Sequence, residues 1–236
     1  MDGTTHTPLR LHIGCGPNIL PGWVNIDSVA RAPGVRTDID LTALPWPDAS
    51  VDAALAEHVF EHFSFAEEAR IWPEIARVLR PGGVLTLEVP DFEWVCAQFL
   101  ASQDDFRAFY QVGHADHYAG CGRALDQRWG ILQTMFFGNQ NGAGQFHRSA
   151  YTEAKLRALA RMTGFAAIEV TRLFNKGGQA LRAVLTRAAV EGTVIASGGD
   201  VAITAASKVA ATATALPVGA GSTSTGSVGI GVSFAF

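Results

Sequence analysis

The first feature of the chain with chemical reach is the turn Gly14-Cys15-Gly16. Two glycines without Cβ atoms let backbone pass close to a ligand and adopt positive φ. The third glycine of a G-x-G-x-x-G dinucleotide fingerprint would fall at position 19, which is Ile19, so a nicotinamide oxidoreductase is disfavoured. Asp27 follows at the end of a short apolar run. A carboxylate there can accept from both hydroxyls of a ribose, or stand as a solvated turn acid. Asp40-Leu41 closes the next segment, and His58 and Glu61 lie within EHVFEH. They fall just beyond a strand end, where ligands bind, although a lone His is more often a satisfied structural residue than a ligand contact. Further on, Asp91 and His147 are the candidate general bases; Asp91 reads equally well as the cap of the helix that begins FEW.

These residues act together only if the chain brings them to one place. LRLHIGC, GWVNIDS, VDAALAE and VLTLEVPD read as strands, and TDIDL as a further short one. Ser64 with Glu67 is a capping-box pattern, which starts a helix that continues through IARVLR to Pro81-Gly82-Gly83. Pro73 lies inside it and predicts a kink or restart. Thr152 caps a second helix, EAKLRALARMT, closed by Gly164, and two strands follow, FAAIEVTRLF and QALRAVLTR. Strand and helix in alternation imply an α/β fold with a mostly parallel sheet. Such a sheet binds ligands beyond the carboxyl ends of its strands, where the glycine turn, Asp27, Asp40, His58 and Asp91 all fall.

LHIGCG, GWVNID, DLTALPWPDASVD, EHVFEH and RVLRPGGVLTLEVPD, in that order, resemble the class I S-adenosylmethionine-dependent methyltransferases, closest to a small bacterial type with GCG and GW-x-N-x-D. The resemblance covers roughly residues 9 to 187. It implies a Rossmann-like, doubly wound, mostly parallel seven-stranded sheet with an antiparallel edge hairpin. It further implies that Gly14, Cys15 and Gly16 approach the methionine and ribose part of S-adenosylmethionine. Asp27 would hold the ribose hydroxyls, Asp40 with the backbone of Leu41 would read the adenine edge, and His58 would line the methionine side. His147 opens HRSAYT, which also resembles a segment of this family. The expected activity is methyl transfer to a small polar acceptor, with a sugar hydroxyl of a cell-surface polysaccharide precursor as first choice. Two departures motivate an alternative, a non-catalytic binding module of the same fold. Only one or two helical turns fit between Gly16 and Val24, and about eight residues precede the first strand where the family places a lid.

The chain has 236 residues, 48% hydrophobic and 17% charged, enough apolar material for a sizeable core. A net charge of −4 offers no global field for nucleic acid, so a nucleic-acid acceptor is disfavoured. Three cysteines form no disulfide framework, and MDGTTHTP shows no secretory signal, so a cytoplasmic location is expected, without a membrane span. Residues 1–190 read as the methyltransferase domain, with an insertion over about 95–150 as substrate lid, and 191–236 as a low-complexity Ala/Gly/Ser/Thr tail. In the insertion His114, Asp116, His117 and Cys121 lack a regular zinc spacing, so no metal is expected.

Overall fold

A computed structural model describes residues 6–101, 135–140, 142, 144–175, 178–189, 191–197 and 200–206. The chain divides into two compact units, residues 1–188 and 189–236. The first contains β1 (Arg10–Ile13), β2 (Val24–Ile26), β3 (Val51–Glu57), a single 3-10 turn Phe60–His62, α1 (Phe65–Val78), β4 (Leu79–Pro90), α2 (Phe92–Ala101), α3 (Glu153–Met162), β5 (Phe165–Asn175) and β6 (Gly178–Arg187). In the second, β7 (Glu191–Ser197) and β8 (Asp200–Ala206) pair antiparallel.

The strands of the first unit form one sheet in the order β2-β1-β3-β4-β6-β5. β2, β1, β3 and β4 run parallel, and β4-β6-β5 is antiparallel, the edge hairpin expected from the sequence. The sheet thus has six strands among the described residues, where seven were expected. The missing strand is TDIDL, which forms no ladder; a lone bridge pairs Arg36, just ahead of it, with Ile26. Its backbone is drawn off by local bonds: Arg36 grips Asp38 at 2.7 Å through both Nε and Nη2, and Asp40 accepts from both the backbone N–H and the hydroxyl of Thr42 at 2.8 Å. Such short-range side-chain bonds compete with a ladder.

The core lies on the sheet faces. Leu11, Ile13, Val51, Leu85, Leu87, Leu181 and Leu185 are at most 1% exposed. Against them α1 packs Ile71, Trp72 and Ile75, the apolar stripe of an amphipathic helix. Ser64 accepts from the Glu67 N–H while the Glu67 carboxylate accepts from the Ser64 N–H, so the capping box is formed. α1 continues through Pro73, which forfeits only the bond to the Ala69 carbonyl, and stops at Val78, earlier than expected. Leu79 already pairs with Val51. Between Leu79 and Val84, which stands opposite Ala53, Pro81-Gly82-Gly83 forms a bulge inside β4 rather than a turn ahead of it. Thr152 caps α3 by accepting from the Lys155 N–H, and Gly164 takes φ +79° just beyond it, as the sequence predicts.

A buried polar cluster ties α1 to the segment ahead of α3. The Glu68 carboxylate, 5% exposed, accepts from Ser149 Oγ at 2.6 Å, the Tyr151 hydroxyl and Lys155 Nζ at 2.9 Å. Burial first, and then the bond to Glu68, push the Tyr151 phenol well above its ordinary range. Tyr151 is therefore a fixed donor at any ordinary pH.

Candidate functional site

At the carboxyl ends of the parallel strands lies a cleft of about 970 Å³, at the upper end of the roughly 300–1,000 Å³ of small-molecule sites. Gly14, Cys15, Gly16, Asp27, Asp40, Leu41 and His58 all line it. Residues from three separate connections, those after β1, β2 and β3, therefore meet around one space.

The glycines differ in why they are needed. Both have positive φ, +65° at Gly14 and +54° at Gly16. A Cβ on Gly14 would sit 2.2 Å from Val59 Cγ2, so this glycine lets the β1 turn pack on the loop after β3. A Cβ on Gly16 would meet nothing within 4 Å, leaving open space beside the cleft. Cys15 between them is buried; its burial, and then the charge of Asp27, push the thiol up, away from the reactive thiolate.

No helix forms among residues 14–23. Asn25 does the work of one. Its amide donates to the carbonyls of Leu20 and Trp23, both at 3.1 Å, and its Oδ1 accepts from the Leu20 N–H at 3.0 Å. One residue on, Asp27 Oδ2 accepts from the Gly16 N–H at 2.8 Å and Oδ1 from the Val29 N–H at 3.0 Å, which fixes the carboxylate against the glycine turn. Asp40, exposed at the cleft edge, is held below its ordinary value by the Thr42 N–H and then the Thr42 hydroxyl.

His58 takes φ +55°, a left-handed conformation rare outside glycine, held by its N–H donating to the Glu88 carbonyl at 2.8 Å. Its Nδ1 lies 3.3 Å from Glu61 Oε1. Glu61 is 2% exposed. Burial opposes its charge, but His58 and the nearby His62 and His147 outweigh that and hold the carboxyl below its ordinary value. His62, which also lines the cleft, bonds the Phe146 carbonyl through Nδ1 at 3.0 Å and meets the His147 ring edge-on with centroids 5.0 Å apart. His147 bonds the Met135 carbonyl through Nδ1 at 2.9 Å, and burial pushes its imidazole down, against the pull of Glu61.

The two candidate bases therefore differ in place. His147 joins the His62–Glu61 group beside the cleft. Asp91 is 1% exposed and is absent from the cleft lining. Its carboxylate accepts from Gln179 Nε2 at 2.8 Å, Arg172 Nε at 3.2 Å and the Trp94 N–H at 3.3 Å, the last being the helix-capping role that was its alternative reading. Sequence reasoning missed His62, whose signal was the second His of EHVFEH, and Arg148; Gly144 and Gln145, from the QNGAGQ segment (140–145) that the sequence offers as a loop over the acceptor, also line the cleft. His114, Asp116, His117 and Cys121 lie outside the described residues, as does most of the insertion.

A mostly parallel sheet with a glycine turn after its first strand, an acid after its second and a ligand-sized cleft over both is a Rossmann-like α/β arrangement. Residues 26–87 match the family described as a methyltransferase domain. About a quarter of the chain is thus similar to a methyltransferase domain, and four of the five ordered segments contribute residues to the cleft. A probable S-adenosylmethionine-dependent methyltransferase of Mycolicibacterium smegmatis is 44% identical over 64 residues, 26% of this chain and 24% of that protein. An uncharacterized protein of a Streptomyces fradiae transposon is 39% identical over 106 residues, 35% of this chain and 30% of that protein. The chain thus spans less than a third of the length of these relatives. Among solved structures, a SAM-dependent methyltransferase from Methanosarcina mazei is 18% identical with a TM-score of 0.47, covering 78% of this chain and 94% of that one. Burkholderia thailandensis 1,6-didemethyltoxoflavin-N1-methyltransferase, solved with bound 1,6-didemethyltoxoflavin and S-adenosylhomocysteine, is 14% identical with a TM-score of 0.47, covering 77% and 72%. No helix among the described residues is long and apolar enough to cross a membrane.

Proposed function

We propose that the chain is a methyltransferase that moves the methyl group of S-adenosylmethionine to a small polar acceptor in the cytoplasm. The observation that carries this reading is the meeting of Gly16, Asp27, Asp40 and His58 around one cleft, with open space where a Gly16 side chain would be. The cleft fits the cofactor: its rim offers a carboxylate fixed beside bare backbone, and its volume suffices. When bound, the cofactor supplies an electrophilic methyl on a sulfonium. Asp27 holds the ribose hydroxyls, Asp40 and the Leu41 backbone hold the adenine edge, and Gly14, Cys15, Gly16 and His58 pack on the methionine portion.

Catalysis by the chain is then mainly positioning and exclusion of water. We assign the acceptor side to His147, whose Nε2 is left available once Nδ1 is tied to the Met135 carbonyl. Asp91 acts through Arg172 and Gln179 as a positioning residue. The described end of the insertion brings Gly144, Gln145 and Arg148 to the rim, which supports a lid role for it. A sugar hydroxyl remains our choice of acceptor, on the family resemblance alone.

Calorimetry with S-adenosylmethionine tests the first half. Saturable micromolar binding that Asp27→Ala abolishes is expected, whereas silence at millimolar cofactor would make the chain a binding module of this fold instead. Transfer of labelled methyl onto sugar nucleotides and cell extracts tests the second half.

A further inference from the structure

The group at Glu61 contains more than an acid–base pair. Glu61, His62 and His147 each offer one ligand atom, and these three atoms lie within 4.8 Å of one another. Both oxygens of the Glu61 carboxylate are buried without a hydrogen-bond partner, the nearest ring nitrogen being His58 Nδ1 at 3.3 Å. An ionised carboxylate left so is costly unless something else satisfies it. The two imidazoles are prepared in a particular way. His62 and His147 each commit Nδ1 to a backbone carbonyl, Phe146 at 3.0 Å and Met135 at 2.9 Å, which fixes the tautomer and leaves Nε2 with a free lone pair. Metal-binding histidines are oriented by this same arrangement. The backbone holds the pieces in register: the Glu61 carbonyl accepts from the N–H groups of Arg148 at 2.7 Å and Ser149 at 3.1 Å, and the His147 N–H donates to the Phe137 carbonyl at 2.9 Å.

We propose that Glu61, His62 and His147 form a binding site for one divalent first-row transition-metal ion, with His58 supporting Glu61 from the side. Two neutral imidazoles and a carboxylate suit zinc, iron(II), manganese(II) or cobalt(II), whereas calcium takes oxygen ligands alone. Ligand bonds of about 2.1 Å place neighbouring donors roughly 3.5 Å apart, so the side chains draw in by about an ångström on loading. Three protein ligands leave positions for water or for an oxygen of the acceptor, and His58 and His62 also line the cleft. The proposal rests on this cluster and not on cofactor binding; with the metal bound, His147 faces the acceptor through the ion instead of as a free base.

The test is a titration of the full, tag-free, chelator-stripped chain with cobalt(II), read by visible absorption, and displacement by zinc(II). We expect one equivalent bound, with His62→Gln and His147→Gln each weakening it at least tenfold, and Glu61→Gln likewise. His6→Gln, which alters a histidine bonded to Asp52, should leave binding unchanged. Circular dichroism confirms that each variant is folded; His62, only partly buried, is the variant on which the result turns if Glu61→Gln does not fold. Absence of a cobalt spectrum at millimolar ion, or equal affinity in wild type, His62→Gln and His147→Gln, would overturn the site. S-adenosylmethionine calorimetry on the same samples reports separately on the cofactor cleft.

Discussion

Replacing Gly14 and Gly16 by alanine separates the two demands made on a ligand-binding glycine turn. At Gly14, φ of +65° costs an L-residue about 1–2 kcal/mol. A Cβ 2.2 Å from Val59 Cγ2 adds overpacking of about 1–3 kcal/mol, so Gly14→Ala should lower folding stability by about 2–5 kcal/mol. At Gly16 the φ of +54° imposes the first cost, but nothing lies within 4 Å, so the loss should stay near 1–2 kcal/mol. The ligand effects should reverse that order. The φ strain of Gly16→Ala is present in the free and the bound chain and cancels from the binding constant. A fall in S-adenosylhomocysteine affinity then measures the space the methyl group takes from the ligand, and we expect roughly tenfold or more. Denaturant unfolding and calorimetry on both variants give the two numbers. The clash has its own control. Adding Val59→Ala to Gly14→Ala removes the atom in the way, so the double variant should be about 1–3 kcal/mol more stable than the two single losses predict. Strict additivity would refute the packing account of Gly14, and unchanged affinity in Gly16→Ala would refute the path we assign to the ligand.

Asp27→Asn keeps the shape but removes the charge that faces the Gly16 N–H, and should weaken S-adenosylmethionine binding roughly 10–100-fold in calorimetry. Asn25→Ala breaks three hydrogen bonds that shape the segment 18–23, and should both lower stability by about 1–3 kcal/mol and raise proteolytic cutting there. Glu68→Ala leaves Lys155 in a partly buried site without its carboxylate and should cost about 3–5 kcal/mol on denaturant unfolding. Glu74 is held below its ordinary value by the bond from Arg77, burial opposing it. It therefore adds stability at neutral pH that disappears as pH falls through its depressed value. Unfolding free energies at pH 7 and pH 3.5 should consequently lie closer together in Glu74→Gln than in wild type.

Much of the site was legible because local rules place it. A glycine pair after an apolar run, an acid closing the next, the Ser64–Glu67 box and the Thr152 cap each depend on a few adjacent residues, and all appear in the fold. What was not legible depends on competition or distance. The strand at TDIDL lost to Arg36–Asp38 and Asp40–Thr42 bonds of comparable range, and its pattern alone could not show which would win. The bulge at Pro81-Gly82-Gly83 reads as a breaker in sequence, yet β3 recruits Leu79 ahead of it. His62 meets the insertion 84 positions away, at Phe146, and no periodicity reports such a contact.

That distance bears on how the site is built. A helix directly after the first strand would ordinarily present its N-terminal N–H groups to a ligand. Here that helix is missing, and single side chains take over its structural part: Asn25 folds the loop on itself and Asp27 pins the Gly16 N–H. Asp27 thereby couples turn geometry to ligand contact, since the same carboxylate that would hold a ribose also fixes the backbone beside it. A ligand that draws on Oδ2 must share it with the Gly16 N–H or displace it, so binding and ordering of the turn should be felt together. Amide exchange at Gly16 that slows on addition of S-adenosylhomocysteine in wild type, but not in Asp27→Asn, would be the signature of that coupling. Exchange indifferent to ligand in both would mean that the carboxylate serves the turn alone.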